Sequence, residues 1–149
     1  MNDKINRILA VDPGEKNIGV AISDPSATLA RPLSVIRHVS MIIDSAQIAR
    51  LAEENHAVLI IVGLPTGPEG EEIPQTRHAK KMIDSIKTQT EIPVIPWDEW
   101  GSTKNAKALL INAGVSRKKR GGHQDALAAS IILRSFLESK SVLESKENE

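Results

Sequence analysis

The chain has 149 residues, of which 40% are apolar and 26% are charged, a composition typical of a folded domain and not of a disordered chain. Its 19 basic and 19 acidic side chains cancel, which excludes a polybasic protein that holds nucleic acid by bulk charge alone but allows a local basic patch. Cysteine is absent, so disulfides, thiolate metal sites and cysteine nucleophiles are excluded.

Apolar runs predict five strands, and helical periodicity predicts four helices, in the order βββαβαβαα. The predicted strands are Arg7–Asp12, Asn17–Asp24, Leu29–Arg37, Val58–Val62 and Ile92–Trp97. The predicted helices are Ser40–Asn55, Glu72–Lys87, Ser102–Ala113 and Gly122–Ser139. Residues 1–138 are therefore expected to form one α/β domain, and the polar segment 139–149 is expected to be a frayed tail.

Prolines indicate which strands lie at the edges of the sheet, because a proline cannot donate to a central ladder. The third and fifth strands contain prolines and the other three do not. The short link between the first two strands requires an antiparallel hairpin, and right-handed crossovers make strands 1, 4 and 5 parallel. We therefore predict a mixed sheet of order 3-2-1-4-5, with strand 2 antiparallel and helices on both faces.

Acidic side chains follow two of the parallel strands and open the last helix. Asp12 ends strand 1, the pair Asp98 and Glu99 follows strand 5, and Asp125 heads the apolar stripe of the final helix. Carboxyl ends of parallel strands share one rim, where open α/β sheets place their ligands, although strands 1 and 5 lie roughly 10 Å apart. A carboxylate-only site suits Mg²⁺ or Mn²⁺, and paired cations of this kind support phosphodiester cleavage.

Each acidic position also has an ordinary structural interpretation. Asp12 precedes Pro-Gly, which is a common turn signal. The Asp98–Glu99 pair can be a solvated loop, and Asp125 can simply stabilise a helix dipole. The prediction of a metal site therefore depends on all these groups meeting at one rim.

Basic residues near the same rim are candidates for binding phosphate. A run of four cations precedes the last helix, and one further lysine lies in the first hairpin turn; these residues are Arg117, Lys118, Lys119, Arg120 and Lys16. Arg77, His78, Lys80 and Lys81 add positive charge early in the second helix. The glycine- and proline-rich loop after strand 4 can let a sugar-phosphate strand approach the backbone, and a plain solvated loop is the alternative.

Four segments, taken in order, resemble the YqgF/RuvX family over about residues 5–138. They are ILAVDPGEKNIGVAISD, IVGLPTGPEG, PVIPWDEWGST and SRKKRGGHQDALAASIIL. Members of this family are described as Holliday junction resolvases and as nucleases that process the 5′ end of pre-16S ribosomal RNA. The resemblance implies a three-layer RNase H-like fold, which agrees with the strand order predicted from the prolines.

The resemblance also assigns roles to the acidic residues. It implies that Asp12, Glu99 and Asp125 are the catalytic metal ligands, with Asp98 as an alternate or supporting carboxylate. Two positions depart from the family pattern, because Trp100 stands where an arginine is usual and Gly67 where an asparagine is usual. Both changes fall in the region expected to face the substrate.

The leading hypothesis is a Mg²⁺- or Mn²⁺-dependent nuclease that cleaves pre-16S ribosomal RNA or branched DNA. The alternative is a nucleic-acid-binding protein of the same fold with little or no catalysis, which is motivated by Trp100 and Gly101. Actin-like and sugar-kinase ATPases also carry Asp-x-Gly after a first strand, but they bind nucleotide between two domains and this chain supplies one. We expect a cytoplasmic protein that is a monomer or a homodimer. No membrane partner is expected, because no apolar run approaches the ~18 residues of a membrane span.

Overall fold

The computed structural model describes residues 6–98 and 122–147, and within α3 it describes the side chains of residues 125–140. Across these ranges the chain forms one five-stranded sheet and three helices. The strands are β1 (Arg7–Asp12), β2 (Asn17–Ser23), β3 (Ala30–Arg37), β4 (Ala57–Leu64) and β5 (Val94–Asp98). The helices are α1 (Met41–Glu54), α2 (Pro74–Lys87) and α3 (Gly122–Glu147).

The sheet has the order β3-β2-β1-β4-β5, as predicted from the sequence. β2 pairs antiparallel with both β1 and β3, whereas β4 pairs parallel with β1 and with β5. The carboxyl ends of β1, β3, β4 and β5 therefore lie along one end of the sheet, which we call the rim. The amino-terminal end of α3 reaches the rim as well, because Asp125 contacts β2 at Gly19.

Proline marks both edges of the sheet, as expected. In β3 the register with β2 shifts beside Pro32, because Ala21 pairs with Pro32 while Val20 pairs with Ser34. This bulge leaves Leu33 outside the ladder, and the edge position leaves the missing proline N–H without cost.

Strand alternation divides the buried side chains into two layers. One layer packs against α1 and α2 and contains Leu9, Val11, Ile18, Val20, Ile60, Val62 and Val94. The other packs against α3 and contains Ile8, Ala10, Ala21 and Ile61, which meet Ile132 and Leu133 of that helix. Because side chains alternate along a strand, the buried residues show which face of the sheet each polar residue at the rim occupies.

The helix ends show which residues set their limits. Ser40 begins α1, since its Oγ accepts a hydrogen bond of 3.2 Å from the N–H of Ile43. Pro74 opens α2, where its fixed φ suits the first helical turn.

The final helix is longer than predicted. The sequence pattern placed its end at Ser139, but α3 continues to Glu147. The residues after Ser139 include lysine, leucine and glutamate, which are good helix formers, so the helix extends although the apolar stripe has ended. The predicted helix Ser102–Ala113 lies outside the described residues.

Candidate metal and nucleic-acid site

Asp12 is held at the rim by the most buried part of the sheet. It ends β1, whose residues Ile8–Val11 are fully buried, and is itself half-buried. Ile8 and Ala10 belong to the α3 layer, so alternation places Asp12 on the same face as α3. The chain then turns sharply, with the N–H of Gly14 donating to the Asp12 carbonyl at 2.9 Å.

Gly19 connects Asp12 to Asp125. It is the cross-strand partner of Asp12 in the β1–β2 ladder. A Cβ added at Gly19 would lie 1.9 Å from the carbonyl oxygen of Asp125, so the backbone of α3 rests directly on this glycine. The Cα atoms of directly paired residues such as Asp12 and Gly19 lie about 4.5–5.5 Å apart. Because Asp125 rests on Gly19, Asp12 and Asp125 are close neighbours at the rim.

Asp125 lies in the first turn of α3, as predicted, and is half-buried. Ala129 and Ile132 below it are fully buried against the sheet, which confirms that this aspartate heads the packed face of the helix. The first turn favours a negative charge, because the backbone N–H groups there have no helical partner. Helix and sheet thus bring the backbones of two aspartates, far apart in sequence, to the same part of the rim.

Asp98 reaches the rim but belongs to the other face. It pairs with Leu64 of β4, about two strand spacings (roughly 10 Å) from β1. Ile95 and Trp97 pack in the α3 layer while Val94 packs in the opposite one. Alternation therefore turns the exposed Asp98 toward the α1 and α2 face, away from Asp12 and Asp125. Glu99, the next residue in the chain, lies outside the described residues.

Trp97 anchors the end of β5 to α3. Its indole N–H donates to the Ser135 hydroxyl at 3.2 Å, and its ring meets that of Phe136 edge to face, with centroids 5.1 Å apart. Such aromatic pairs add about 0.5–1.5 kcal/mol beyond the area that they bury. These contacts fix the strand immediately before the Asp98–Glu99 pair.

The loop between β4 and α2 has a defined shape. Thr76 accepts from the N–H of Ile73 at 3.1 Å and donates to the Pro65 carbonyl, which ties the loop to the first turn of α2. The N–H of Gly67 donates to the Glu71 carbonyl at 2.8 Å. Lys80 pairs with Glu72 at 3.2 Å, so part of the positive charge expected from the start of α2 is neutralised by the loop itself.

The predicted phosphate-binding residues fall in two groups. Lys16 is exposed in the β1–β2 turn at the rim, as expected. The cluster Arg117, Lys118, Lys119 and Arg120 lies outside the described residues. Sequence reasoning overlooked Gly19, although a glycine within an otherwise apolar strand is a recognised signal of close backbone approach.

The donor set at the rim suits a hard cation. Among the residues that the structure describes, no group of three or more histidine, cysteine, aspartate or glutamate side chains is arranged to hold a metal ion. Asp12 and Asp125 nevertheless supply two carboxylates, the ligand type that Mg²⁺ and Mn²⁺ prefer. The described helices include none that is long and apolar enough to cross a membrane.

Comparison with known sequences identifies one family and relatives along most of the chain. The family model "RuvX: Holliday junction resolvase" matches residues 6–139. A protein of Thermoanaerobacter pseudethanolicus, named "Putative pre-16S rRNA nuclease", is 40% identical over 135 residues, covering 90% of this chain and 97% of its own. A protein of the same name from Roseiflexus is 34% identical and covers 94% and 99% of the two chains.

Comparison with solved structures supports the fold. Thermus thermophilus RuvC in complex with a Holliday junction superposes with a TM-score of 0.59 at 14% identity, covering 91% of this chain and 96% of that one. The fowlpox virus Holliday junction resolvase gives a TM-score of 0.52 at 22% identity, over 89% and 99%. From its sequence the chain belongs to the RuvX family, and its sheet and helices have the RNase H-like fold.

Proposed function

We propose that this protein is a nuclease that cleaves a phosphodiester bond in structured nucleic acid with the help of Mg²⁺ or Mn²⁺. The observation that carries the proposal is the contact of Gly19 with the backbone of Asp125, which sets that aspartate beside Asp12. Two carboxylates at the carboxyl end of a central strand are what a divalent-ion site at this rim requires. Membership of the RuvX family supports the same activity.

Asp12, Asp125 and Glu99 are the residues proposed to hold the metal. Glu99 is preferred to Asp98 because strand alternation places Asp98 on the opposite face from the other two. Asp98 then serves as a supporting carboxylate at the outer side of the rim. When bound, divalent ions would activate water and stabilise the leaving oxygen.

Cationic side chains would hold the substrate backbone. Lys16 is placed at the rim, and Arg117, Lys118, Lys119 and Arg120 precede Asp125 in the chain by a few residues. Their role is to bind phosphates on either side of the scissile bond, so that the bond lies over the carboxylates.

The proposed substrate is the 5′ region of pre-16S ribosomal RNA, with branched DNA as the second candidate. The names of the relatives at 34–40% identity support the RNA, and the family description supports the junction. We propose a cytoplasmic protein, monomeric or homodimeric, whose nuclease domain ends near residue 138. The continuous α3 carries the chain past that boundary.

The decisive variant is Asp12→Asn, which keeps the size of the side chain and removes one metal-binding charge. We expect cleavage to fall by at least 10²-fold on both substrates, because the catalytic charge arrangement is lost. Asp84→Asn, which changes an exposed aspartate on α2 outside the proposed site, is the matched control and should retain full activity. Gel assays with pre-16S RNA and with a four-way DNA junction would measure both, and undiminished cleavage by Asp12→Asn would contradict the assignment.

A nucleic-acid-binding protein with little catalysis is the second candidate. Gly67 motivates it, because a glycine stands in the shaped loop where the family usually has an amide side chain, and Glu71 packs against it. In that case the wild-type protein would bind RNA tightly and leave it uncut at saturating Mn²⁺. Gly67→Asn would then restore cleavage, whereas a fully active wild type would exclude this candidate.

A further inference from the structure

The end of β3 carries a cation on the same face as the acidic site. Arg37 is the last residue of β3, is exposed, and pairs with Asn17 at the start of β2. Its neighbour Ile36 is buried in the α1 and α2 layer, so alternation turns Arg37 toward the α3 face, where Asp12 and Asp125 lie.

The register gives the distance between Arg37 and the carboxylates. Asp12, Gly19 and Val35 lie side by side across three strands, and Arg37 is two residues further along β3 toward the rim. Two strand spacings and two residues of rise place the Cα atoms of Asp12 and Arg37 about 12 Å apart.

The main chain holds Arg37 next to Lys16. The N–H of His38 donates to the Lys16 carbonyl at 2.9 Å, which joins the β1–β2 turn to the end of β3. Two cations from separate segments are thereby fixed side by side. We call Lys16 and Arg37 together the rim strip.

A buried carboxylate stabilises the end of β3. Asp44 is only 1% exposed and accepts from the N–H of Val39 at 2.9 Å while its other oxygen meets His38 Nδ1 at 2.5 Å. These two bonds fix the backbone immediately after Arg37. The backbone that carries Arg37 is therefore held in place before any ligand arrives, which reduces the backbone part of the entropy cost of binding.

The rim strip is not neutralised by nearby acids in the described part of the chain. Arg50, Lys80 and Arg134 each pair with a glutamate there. Neither Lys16 nor Arg37 makes an ion pair with any described residue. Exposed cations that make no ion pair and lie beside a carboxylate site are suited to bind a polyanion, because each bound phosphate releases counterions.

We propose that the rim strip, with Arg37 as its principal contact, binds the phosphodiester backbone of the substrate on the β3 side of the acidic site. This inference rests on the proposed function and deepens it, because it gives the direction in which the substrate leaves the scissile bond. The strand that is cut passes from Asp12 along the rim, past the start of β2 at Asn17, to the end of the edge strand β3. Arg37 acts as a positioning residue and takes no part in the chemistry.

Arg37→Gln tests the inference, with Arg31→Gln as its matched control. Arg31 is also exposed on β3 but lies six residues away, about 20 Å toward the opposite end of the sheet. Both changes are made in the Asp12→Asn parent, so that the nucleic acid stays intact. Binding of a fluorescent pre-16S 5′ RNA and of a four-way DNA junction is followed by anisotropy at several salt concentrations.

We expect Arg37→Gln to weaken binding about tenfold at low salt and to reduce the slope of log K against log[salt] by about 0.7–0.9, the value for one phosphate contact. Arg31→Gln should leave both unchanged, and Lys16→Gln should repeat the Arg37 result. The substrate on which the effect is larger is the one whose backbone follows the strip. Equal effects of Arg37→Gln and Arg31→Gln, or an unchanged slope, would overturn the inference. The proposed function itself is tested by the cleavage assay, in which a wild-type protein that cuts neither substrate would contradict it.

Discussion

At the scale of single residues, carboxylates do two different kinds of work in this molecule. Asp12 and Asp125 are brought together by backbone packing at the rim. Asp24, at the other end of β2, instead organises a turn within its own segment. It accepts from the N–H groups of Thr28 at 2.8 Å and Leu29 at 2.9 Å. The first kind of site needs the whole fold, whereas the second needs only six consecutive residues.

The pKa of Asp24 is held well below its ordinary value of 3.8 by the Leu29 N–H, followed by the Ser26 hydroxyl and the Thr28 N–H. A carboxyl whose pKa is lower in the folded state stabilises the protein above its unfolded pKa and loses that contribution as the pH falls through the folded value. Asp24→Asn should therefore reduce the free energy of unfolding at pH 7, with the difference from wild type shrinking below about pH 4.

Urea denaturation between pH 7 and pH 3 would measure this dependence. Asp84→Asn is the control, because Asp84 is exposed on α2 and accepts no hydrogen bond from the residues that the structure describes. The Asp84→Asn variant shows the general effect of removing one exposed carboxylate. An Asp24→Asn difference that does not change between pH 7 and pH 3 would mean that the turn bonds do not depend on the charge.

At the scale of elements, one glycine decides where α3 sits. Gly19 lets the α3 backbone approach β2 so closely that no side chain fits between them. Further along the same helix, Ser135 and Phe136 contact Trp97 of β5. The helix is thus fixed to the sheet at two places along its length, and Asp125 lies at the one nearer its amino-terminal end.

Gly19→Ala should push the start of α3 away from β2, because the new methyl group would meet rigid backbone. We expect a loss of about 1–3 kcal/mol in the free energy of unfolding and a large loss of Mn²⁺ affinity. Val20→Ile is the matched control, since it adds one methylene to the opposite face of the same strand. It should cost stability while Mn²⁺ affinity, measured by calorimetry, is kept; equal losses of affinity in both variants would contradict the role of Gly19.

At the scale of the whole molecule, the proposed metal site joins residues from three distant parts of the chain. Asp12 comes from the central strand, Asp125 from the last helix, and Glu99 follows the edge strand β5. Of the three, Asp12 and Asp125 lie on the α3 face, opposite the face where α1 and α2 pack. A ligand that bridges sheet and helix must stabilise the folded state as a whole, because the unfolded chain cannot hold these groups together.

Mn²⁺ should therefore raise the melting temperature of the protein in the absence of any substrate. At a hundred times the dissociation constant, binding contributes about 2.7 kcal/mol, or roughly 5–10 °C for a domain of this size. Asp12→Asn and Asp125→Asn should each abolish the shift, and Asp84→Asn, which changes an exposed aspartate on α2, should preserve it. A thermal shift that survives both of the first two substitutions would place the ion elsewhere.

The order of the strands could be read from the sequence because its signals are local. Apolar runs define the central strands, and prolines such as Pro32 and Pro96 mark the edges, where a missing N–H costs nothing. The position of Asp125 at the head of a packed helix face was predicted for the same reason, since helical periodicity involves only nearby residues.

Which groups meet was decided only by the tertiary structure. The nearness of Asp12 to Asp125 depends on strand register and on the absence of a side chain at Gly19. The placement of Asp98 on the opposite face depends on which strand residues pack against α3. The nearness of Arg37 to the acidic residues follows only from the register that joins β3 to β1 across β2. The periodicity of a segment determines which face of its helix or strand each residue occupies. The distances between helices and strands depend instead on strand register and packing, and these involve several segments at once.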